Sequence, residues 1–181
     1  LSALAVVDSG VLLTQLLRIW INEIIGHDMR LASNAACKSQ IFFTYSFPMI
    51  SSWTLVLVTV DRAVSVASPL RSKEICSFWR MVTAWTVVVV IISMISIYPA
   101  HVFEHFTLTY PGLDPVEACM LKFDERPQFD KVYVPLDFAL VVFIPVILIF
   151  ASNIFIVVAL RKAENRRMNS LSARKRDRQS G

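Results

Sequence analysis

The chain has 181 residues, of which 55% are hydrophobic and only 18% are charged, and its mean hydropathy is +0.57. This balance excludes an ordinary water-soluble domain, in which roughly 45–50% of residues are apolar and about 25% are charged, and it indicates a membrane protein. The net charge of +4 arises from a basic segment near the carboxyl terminus, which is better explained by a membrane surface than by nucleic acid.

Four long apolar segments follow one another along the chain. They lie at about 1–17, 39–61, 81–99 and 132–160. A hydrocarbon core about 30 Å thick requires roughly 20 apolar residues per helix, whereas strands of a membrane barrel alternate over about ten residues, unlike the solid run VVVVII at 87–92. The sequence therefore predicts an all-α membrane domain over 1–160, followed by a basic segment at 161–181 that we expect to be disordered.

The first apolar segment contains an acidic residue near its centre, Asp8 in LSALAVVDSGVLL. A charge at the centre of a bilayer costs roughly 2.5–3.5 kcal/mol on insertion scales, so this side chain must face protein or water. It would suit a small cation or a proton relay, or it could be a hydrogen-bonded packing residue. Spacing alone favours neither interpretation.

The distribution of Lys and Arg between the apolar segments predicts their orientation, because short basic loops remain in the cytoplasm. Segments 61–80 and 161–181 carry four and eight of these residues, whereas 18–38 and 100–131 carry three each. Since successive helices alternate in direction, we expect the first pair of segments to be cytoplasmic and the second pair extracellular.

This orientation also separates the three cysteines. Cys37 and Cys119 fall on the outer, oxidising side, whereas Cys76 falls in a cytoplasmic loop, where a thiol stays reduced. A disulfide between the outer pair would fasten the long outer loop over the helices and, by the chain-entropy model, would contribute up to about 4.5 kcal/mol. Two unpaired thiols are the alternative.

The last apolar segment carries Asp137 one turn inside its outer end. Tyr133 precedes it by four residues and Val141 follows it by four, so the three residues mark one stripe of a helix. A carboxylate in this position would meet a cationic group on a ligand arriving from outside. The alternative is a helix-terminal acid that is favoured by the positive end of the helix dipole.

Sequence motifs of enzymes are absent. There is no glycine-rich nucleotide loop and no serine nucleophile elbow. His101 and His105 are four residues apart, but two ligands are too few to indicate a metal site. We therefore expect no enzymatic activity.

A series of residues at characteristic spacing runs along almost the whole chain. It consists of Leu4-Ala5-x-x-Asp8, Cys37, Asp61-Arg62-Ala63, Pro69-Leu70, Trp85, Cys119 and Pro145. In this order, with Asp61 standing 24 residues after Cys37, the series resembles the rhodopsin-like (class A) family of G-protein-coupled receptors, from the second to the fifth transmembrane helix. The fold that this resemblance implies is a partial seven-helix bundle.

The resemblance implies a G-protein contact at the cytoplasmic side. Arg62 would contact a heterotrimeric G protein when the bundle opens and would be restrained by Asp61 when the bundle is closed. Pro69 and Leu70 lie in the loop that follows, where Leu70 would pack against the G protein. The family has Tyr where this chain has Ala63, so one loop hydrogen bond of the family is missing.

Further roles implied by the resemblance lie within the bundle. Asp8 and Ser51 would form a sodium pocket, and this sodium ion is the one cofactor we expect. Cys37 and Cys119 would form the disulfide of the family, in agreement with the orientation. Trp85 and Pro145 would be structural.

The resemblance also points to the ligand. Gln40, Thr44, Tyr133 and Asp137 would line the mouth of the pocket. Amine receptors carry Asp at the position of Thr44, which argues against a monoamine. The segments FTLTYPGLDPVE and ACMLKF are typical of the hairpin that covers the pocket in peptide receptors. We expect a peptide with a basic group, and a neuropeptide in particular.

By the same comparison, the first, sixth and seventh helices of the family lie outside the sequence. We interpret the chain as a fragment of a plasma-membrane receptor that, in full length, binds an extracellular ligand and activates a G protein. A four-span structural or adaptor protein and a non-signalling truncated receptor are the alternatives. The adaptor would show an outer-loop cysteine cluster, and a transporter fragment would show an internal repeat; the sequence has neither.

Overall fold

The structure, a computed structural model, describes residues 2–26, 28–67, 78–109 and 116–180, with side chains described as far as residue 169. Within these ranges, four helices are long and apolar enough to cross a membrane, and a β-hairpin connects the third to the fourth. In chain order, the elements are α1 (Ser2–Ile25), α2 (Asn34–Ala67), α3 (Phe78–Val102), β1 (Phe103–Leu108), β2 (Val116–Leu121) and α4 (126–180). The predicted all-α membrane bundle is confirmed.

Helix α1 extends further than the sequence predicted. We expected a loop from residue 18 onward, but the helix continues to Ile25, because its last nine residues, LRIWINEII, contain no helix breaker. Arg18 therefore lies within the helix, and its guanidinium group forms an ion pair with Asp28 at 3.4 Å. Gly26 follows the helix with φ of 70°, a left-handed conformation that glycine adopts without strain.

Helices α2 and α3 also begin earlier and end later than the predicted spans 39–61 and 81–99. A helix satisfies its own backbone hydrogen bonds, so it can continue from the hydrocarbon core into the headgroup region without cost to its backbone. At the start of α2, the hydroxyl group of Ser33 accepts a hydrogen bond from the backbone N–H of Ala36 at 3.1 Å, which satisfies one free donor of the first turn.

Helix α4 is interrupted by two π-helical turns. Its parts are Arg126–Gln128, the π turn Phe129–Tyr133, Val134–Phe138, the π turn Ala139–Phe143, and Ile144–Ser180. Each π turn stands just before a proline, Pro135 or Pro145. Proline lacks an N–H and leaves a carbonyl of the preceding turn without its usual donor, so the local hydrogen-bond pattern changes there.

The basic segment at 161–181 begins within a helix. The last part of α4 runs as one helix from Ile144 through Ser180, beyond the predicted end of the apolar segment at 160. The physical reason lies in the composition: between Val146 and Ser180 there is neither proline nor glycine, and Arg, Lys, Ala, Glu and Leu are strong helix formers.

Helix α2 lies at the centre of the bundle and packs against α1, α3 and α4. Near the middle of the bundle, Met49 and Ile50 of α2 join Val7 of α1 and Ile92 of α3 in one buried cluster. The outward faces of the helices are apolar and exposed, for example at Val90. Such an exterior is unfavourable in water and favourable in lipid, so it agrees with a membrane location.

The hairpin closes one end of the bundle, which we call the hairpin end. Strands β1 and β2 pair antiparallel, with His105 opposite Cys119. Beneath the strands, Val102, Leu121, Phe129 and Tyr133 form a second buried cluster. The opposite end of the bundle carries Asp61 and is called the Asp61 end.

Candidate functional site

A disulfide bond fastens the hairpin to the first turn of α2. Cys37 is fully buried, and its Cα atom lies 5.8 Å from that of Cys119 in β2. The predicted pairing is confirmed. The bond closes a sequence separation of 82 residues and holds β2 across the end of the central helix.

An ion-pair cluster supports the same attachment. The carboxylate of Glu104 in β1 lies 2.9 Å from the ammonium group of Lys122 and 3.8 Å from that of Lys38 in α2. The hydrogen bond from Lys122 lowers the pKa of the Glu104 carboxyl group, against an opposing effect of burial, and the positive charges of Lys122 and Lys38 lower it further. Glu104 therefore remains charged and links the hairpin to α2.

Four aromatic rings from three helices meet below the hairpin, and we call them the tyrosine cluster: Tyr45 of α2, Tyr98 of α3, and Phe129 and Tyr133 of α4. The ring of Tyr133 lies 5.0 Å from that of Phe129, 5.4 Å from that of Tyr98 and 5.6 Å from that of Tyr45. Tyr133 is only 5% exposed. Aromatic pairs at such distances stabilise beyond their buried area, so the cluster fixes α4 against α2 and α3.

Asp137 lies one turn along α4 from Tyr133 and is partly buried. Among the described residues, one carboxylate oxygen of Asp137 and the hydroxyl groups of Tyr98 and Tyr133 are buried without a hydrogen-bond partner. A buried polar group without a partner costs about 1–3 kcal/mol, so these groups are candidates for contact with a further polar group.

The sequence predicted Tyr133 and Asp137, but it did not single out Tyr45 or Tyr98. Both stand near the hairpin end of an apolar helix, where amphipathic tyrosines are common in membrane proteins. This signal is weak for one residue, because it does not tell which face of the helix the ring occupies.

Gln40 and Thr44, the other two predicted ligand contacts, face α1. The side-chain amide of Gln40 donates a hydrogen bond to the carbonyl of Thr14. The amide of Gln15 donates to the carbonyl of Thr44 at 3.4 Å. These residues join α2 to α1, whereas Tyr133 and Asp137 lie on the α4 side of the bundle.

Asp8 and Ser51 meet between α1 and α2. The hydroxyl group of Ser51 donates a hydrogen bond of 2.5 Å to a carboxylate oxygen of Asp8. Together they present a carboxylate and a hydroxyl oxygen, which are donors that a hard cation accepts. These two oxygens are of the type that a hard cation binds, and they supply only two of the ligands that a cation site requires.

The Asp61 end contains a cavity of about 670 Å³ that Asp61 and Arg62 help to line. Arg62 is exposed, whereas Asp61 is partly buried and its backbone carbonyl accepts a hydrogen bond from Ser65 at 2.9 Å. Ala63, next to them, is buried. The guanidinium group of Arg62 is thus available to a partner that enters this end of the bundle.

The remaining predicted residues are Pro69, Leu70, Trp85 and Pro145. Pro69 and Leu70, expected to contact the G protein, lie outside the described residues, as does Cys76. Trp85 donates an indole hydrogen bond to the hydroxyl group of Thr54 at 3.0 Å and so joins α3 to α2. Pro145 is buried in α4 directly after a π turn.

Comparison with known proteins agrees with this arrangement. The family model of the seven-transmembrane receptors (rhodopsin family) matches residues 1–180. The chain belongs to this family. A search of the curated proteins found no match. Membership in the rhodopsin family identifies the chain as a receptor of multi-pass membrane type and not as an enzyme. The general partners of such a receptor are an extracellular ligand and a G protein.

Proposed function

We propose that the chain forms the second to fifth transmembrane helices of a receptor that binds an extracellular peptide at its hairpin end and activates a heterotrimeric G protein at its Asp61 end. One observation carries this proposal: two recognition features lie at opposite ends of one bundle. Asp137 and the tyrosine cluster lie beneath a tethered hairpin, and Arg62 is exposed in a cavity at the other end. A signalling receptor requires this separation, because its two partners bind on opposite sides of the membrane.

The charge distribution supports the orientation within this proposal. Segments 61–80 and 161–181 carry most of the Lys and Arg residues and belong to the Asp61 end, which we place in the cytoplasm. The hairpin end is then extracellular, which agrees with its disulfide. We propose the plasma membrane as the location, since a peptide ligand reaches a receptor there.

The chemistry beneath the hairpin favours a ligand with a cationic group. A carboxylate oxygen of Asp137 has no hydrogen-bond partner among the described residues, and Tyr133 of the tyrosine cluster lies one turn before it in α4. A guanidinium or ammonium group would pair with the carboxylate and bind the faces of the rings. A neuropeptide with a basic residue meets these requirements, with Gln40 and Thr44 contacting it from the α1 side.

The Asp61 end supports G-protein coupling of reduced strength. Arg62 would bind the G protein, Asp61 would restrain it in the closed state, and Pro69 with Leu70 would add contacts from the loop. Ala63 and Asn153 stand where the family has tyrosines that support the loop and the active state. A non-signalling receptor is therefore the second candidate.

A sodium ion is proposed between α1 and α2, held in part by Asp8 and Ser51. When bound, the ion would neutralise a carboxylate that otherwise lies within the membrane. The hydrogen bond between the two side chains supports this assignment.

The experiment that tests the function begins with the complete coding sequence around this chain, expressed in cells that report G-protein activation. A library of basic peptides is screened, and Asp137→Asn is compared with Asp130→Asn, an exposed acid of the same helix that lies outside the tyrosine cluster. We expect Asp137→Asn to reduce peptide potency about 10- to 100-fold, the range for a charge-assisted hydrogen bond. Asp130→Asn should change potency little.

Arg62→Ala separates signalling from binding in the same cells. It should abolish G-protein activation and leave peptide binding in place. If peptides bind but no G protein responds to the unmodified receptor, the chain belongs to a non-signalling receptor. If no peptide of the library binds or activates the receptor, the proposed ligand class is wrong.

A further inference from the structure

A groove of about 580 Å³ lies between α2 and α4 at the Asp61 end, next to the cavity that contains Arg62. Most of its lining is apolar and comes from both helices. The apolar residues are Val66, Ala67, Phe155, Val158, Ala159 and Ala163. The volume falls within the range of roughly 300–1,000 Å³ that is typical of sites for small molecules.

Two cations complete the lining of the groove, Lys162 and Arg166. They are four residues apart in the continuous helix of α4, so their side chains leave the same face. Both are exposed, and neither forms an ion pair with another residue of the described part of the chain. The groove therefore presents two positive charges that are not neutralised by described residues.

The polarity of the groove changes along α4. Phe155 and Val158 belong to the apolar part of the helix and are 51% and 57% exposed, whereas Lys162 and Arg166 stand at the start of the basic segment. One end of the groove thus offers apolar surface at the depth of the membrane, and the other offers positive charge at its boundary. A water-soluble acidic molecule would contact only the positively charged end of the groove.

We propose that this groove binds an anionic phospholipid, with the phosphate between Lys162 and Arg166 and an acyl chain along Phe155 and Val158. A guanidinium group pairs with two phosphate oxygens at once, and an ammonium group binds a third as a point charge. Anionic lipids are concentrated in the cytoplasmic leaflet, where we place the Asp61 end. The ligand and the G protein of the proposed function play no part in this inference.

Native mass spectrometry of the full chain in detergent tests the proposal. The chain is titrated with short-chain phosphatidylinositol bisphosphate, phosphatidylserine and phosphatidylcholine. We expect the two anionic lipids to bind and phosphatidylcholine to bind weakly. The double variant Lys162→Gln/Arg166→Gln should weaken anionic-lipid binding about tenfold or more, the loss expected when a charge-assisted hydrogen bond to the phosphate is removed.

The matched control is Arg161→Gln/Arg167→Gln, which removes the same charge from the same helix at positions outside the groove. It should weaken binding less than the groove variant does, because only the groove residues would pair directly with the bound phosphate. Val158→Gln, compared with Val157→Gln outside the groove, tests the apolar wall without a change in charge. Far-UV circular dichroism and the mass of the intact disulfide verify that each variant is folded.

Three results would overturn the proposal. If both charge variants lose anionic-lipid binding equally, the lipid is attracted to the basic helix in general and has no site in the groove. If soluble inositol trisphosphate binds as tightly as the lipid, and Val158→Gln does not weaken lipid binding, the groove would be a phosphate site that binds no acyl chain. If neither charge variant changes lipid binding, and an acidic helical peptide binds in the groove instead, the groove would be a protein-docking surface.

Discussion

Two tryptophans show how single residues hold this bundle together. The indole of Trp85 joins α3 to the hydroxyl group of Thr54, and the indole of Trp53 donates a hydrogen bond of 3.1 Å to the carbonyl of Leu140. Leu140 belongs to the π turn Ala139–Phe143. Because lipid offers no donors, a carbonyl that leaves the regular helix pattern needs a partner within the protein, and Trp53 supplies one.

Replacing Trp53 with Phe removes this donor and keeps most of the ring. We expect Trp53→Phe to lower the free energy of unfolding by about 0.5–1.5 kcal/mol, the usual net value of one hydrogen bond. The measurement is the thermal unfolding midpoint of the detergent-solubilised chain. Trp79→Phe is the control, since Trp79 is 75% exposed. Equal midpoints for the two variants would contradict this role of Trp53.

Among the structural elements, the hairpin depends on attachments to α2 more than on its own two strands. An isolated two-stranded hairpin is marginally stable in water. Here it is held by the disulfide between Cys37 and Cys119, by Glu104 between Lys38 and Lys122, and by Leu121 in the buried cluster. The covalent and the ionic attachment make separate contributions that can be measured.

Removal of the disulfide by Cys37→Ser/Cys119→Ser should destabilise the chain by about 2–4 kcal/mol, because the unfolded chain gains conformational freedom. The unfolding midpoint of the variant is compared with that of Cys76→Ser, which removes the third cysteine and should have little effect. If Cys37→Ser/Cys119→Ser is as stable as Cys76→Ser, the buried cluster beneath the hairpin holds it in place without the disulfide.

The ionic attachment predicts a dependence on pH. Since the pKa of Glu104 is lowered in the folded chain from an ordinary value of 4.5, its contribution is present above about pH 4.5 and is lost as the pH falls through the lower folded value. The difference in unfolding midpoint between the native chain and Glu104→Gln should therefore be largest near neutral pH and should shrink as the pH falls through the lowered pKa of the folded chain. Glu125→Gln serves as the control for a general effect of charge. A difference independent of pH would contradict this account.

For the whole molecule, the main consequence of the sequence is its orientation in the membrane. The hairpin end carries acids and bases in similar number, whereas the helical extension of α4 at the other end is strongly basic. The same extension, continuous with the membrane helix, places Lys162 and Arg166 beside α2.

The orientation predicts the accessibility of single cysteines introduced at Asp124 and Glu164, both exposed residues at opposite ends of the bundle. In a chain that lacks Cys76, a membrane-impermeant maleimide should label the cysteine at Asp124→Cys in intact cells. The cysteine at Glu164→Cys should be labelled only after the membrane is permeabilised. The reverse labelling pattern would mean that the Asp61 end is extracellular. The proposed ligand and G-protein sites would then be assigned to the wrong ends of the bundle.

The number and type of the membrane helices could be predicted from the amino-acid sequence, because they follow from the free energy of transfer of about 20 consecutive side chains, which is a local property. The disulfide partners were predicted from the side of the membrane on which the Lys and Arg distribution places each cysteine, together with the family resemblance. Helix ends were less well determined, as at α1, because a helix continues past the apolar run until a residue such as Gly26 ends it.

Which side chains meet depends on how the helices pack against one another. The tyrosine cluster gathers residues from three helices, and the rotation of each helix about its axis is set by packing and by the π turns of α4, which a regular period does not predict. For the same reason, the sequence did not predict that the amide of Gln40 bonds to the carbonyl of Thr14 in α1. The groove at Lys162 is likewise lined by residues of both α2 and α4, so it cannot be predicted from either helix alone.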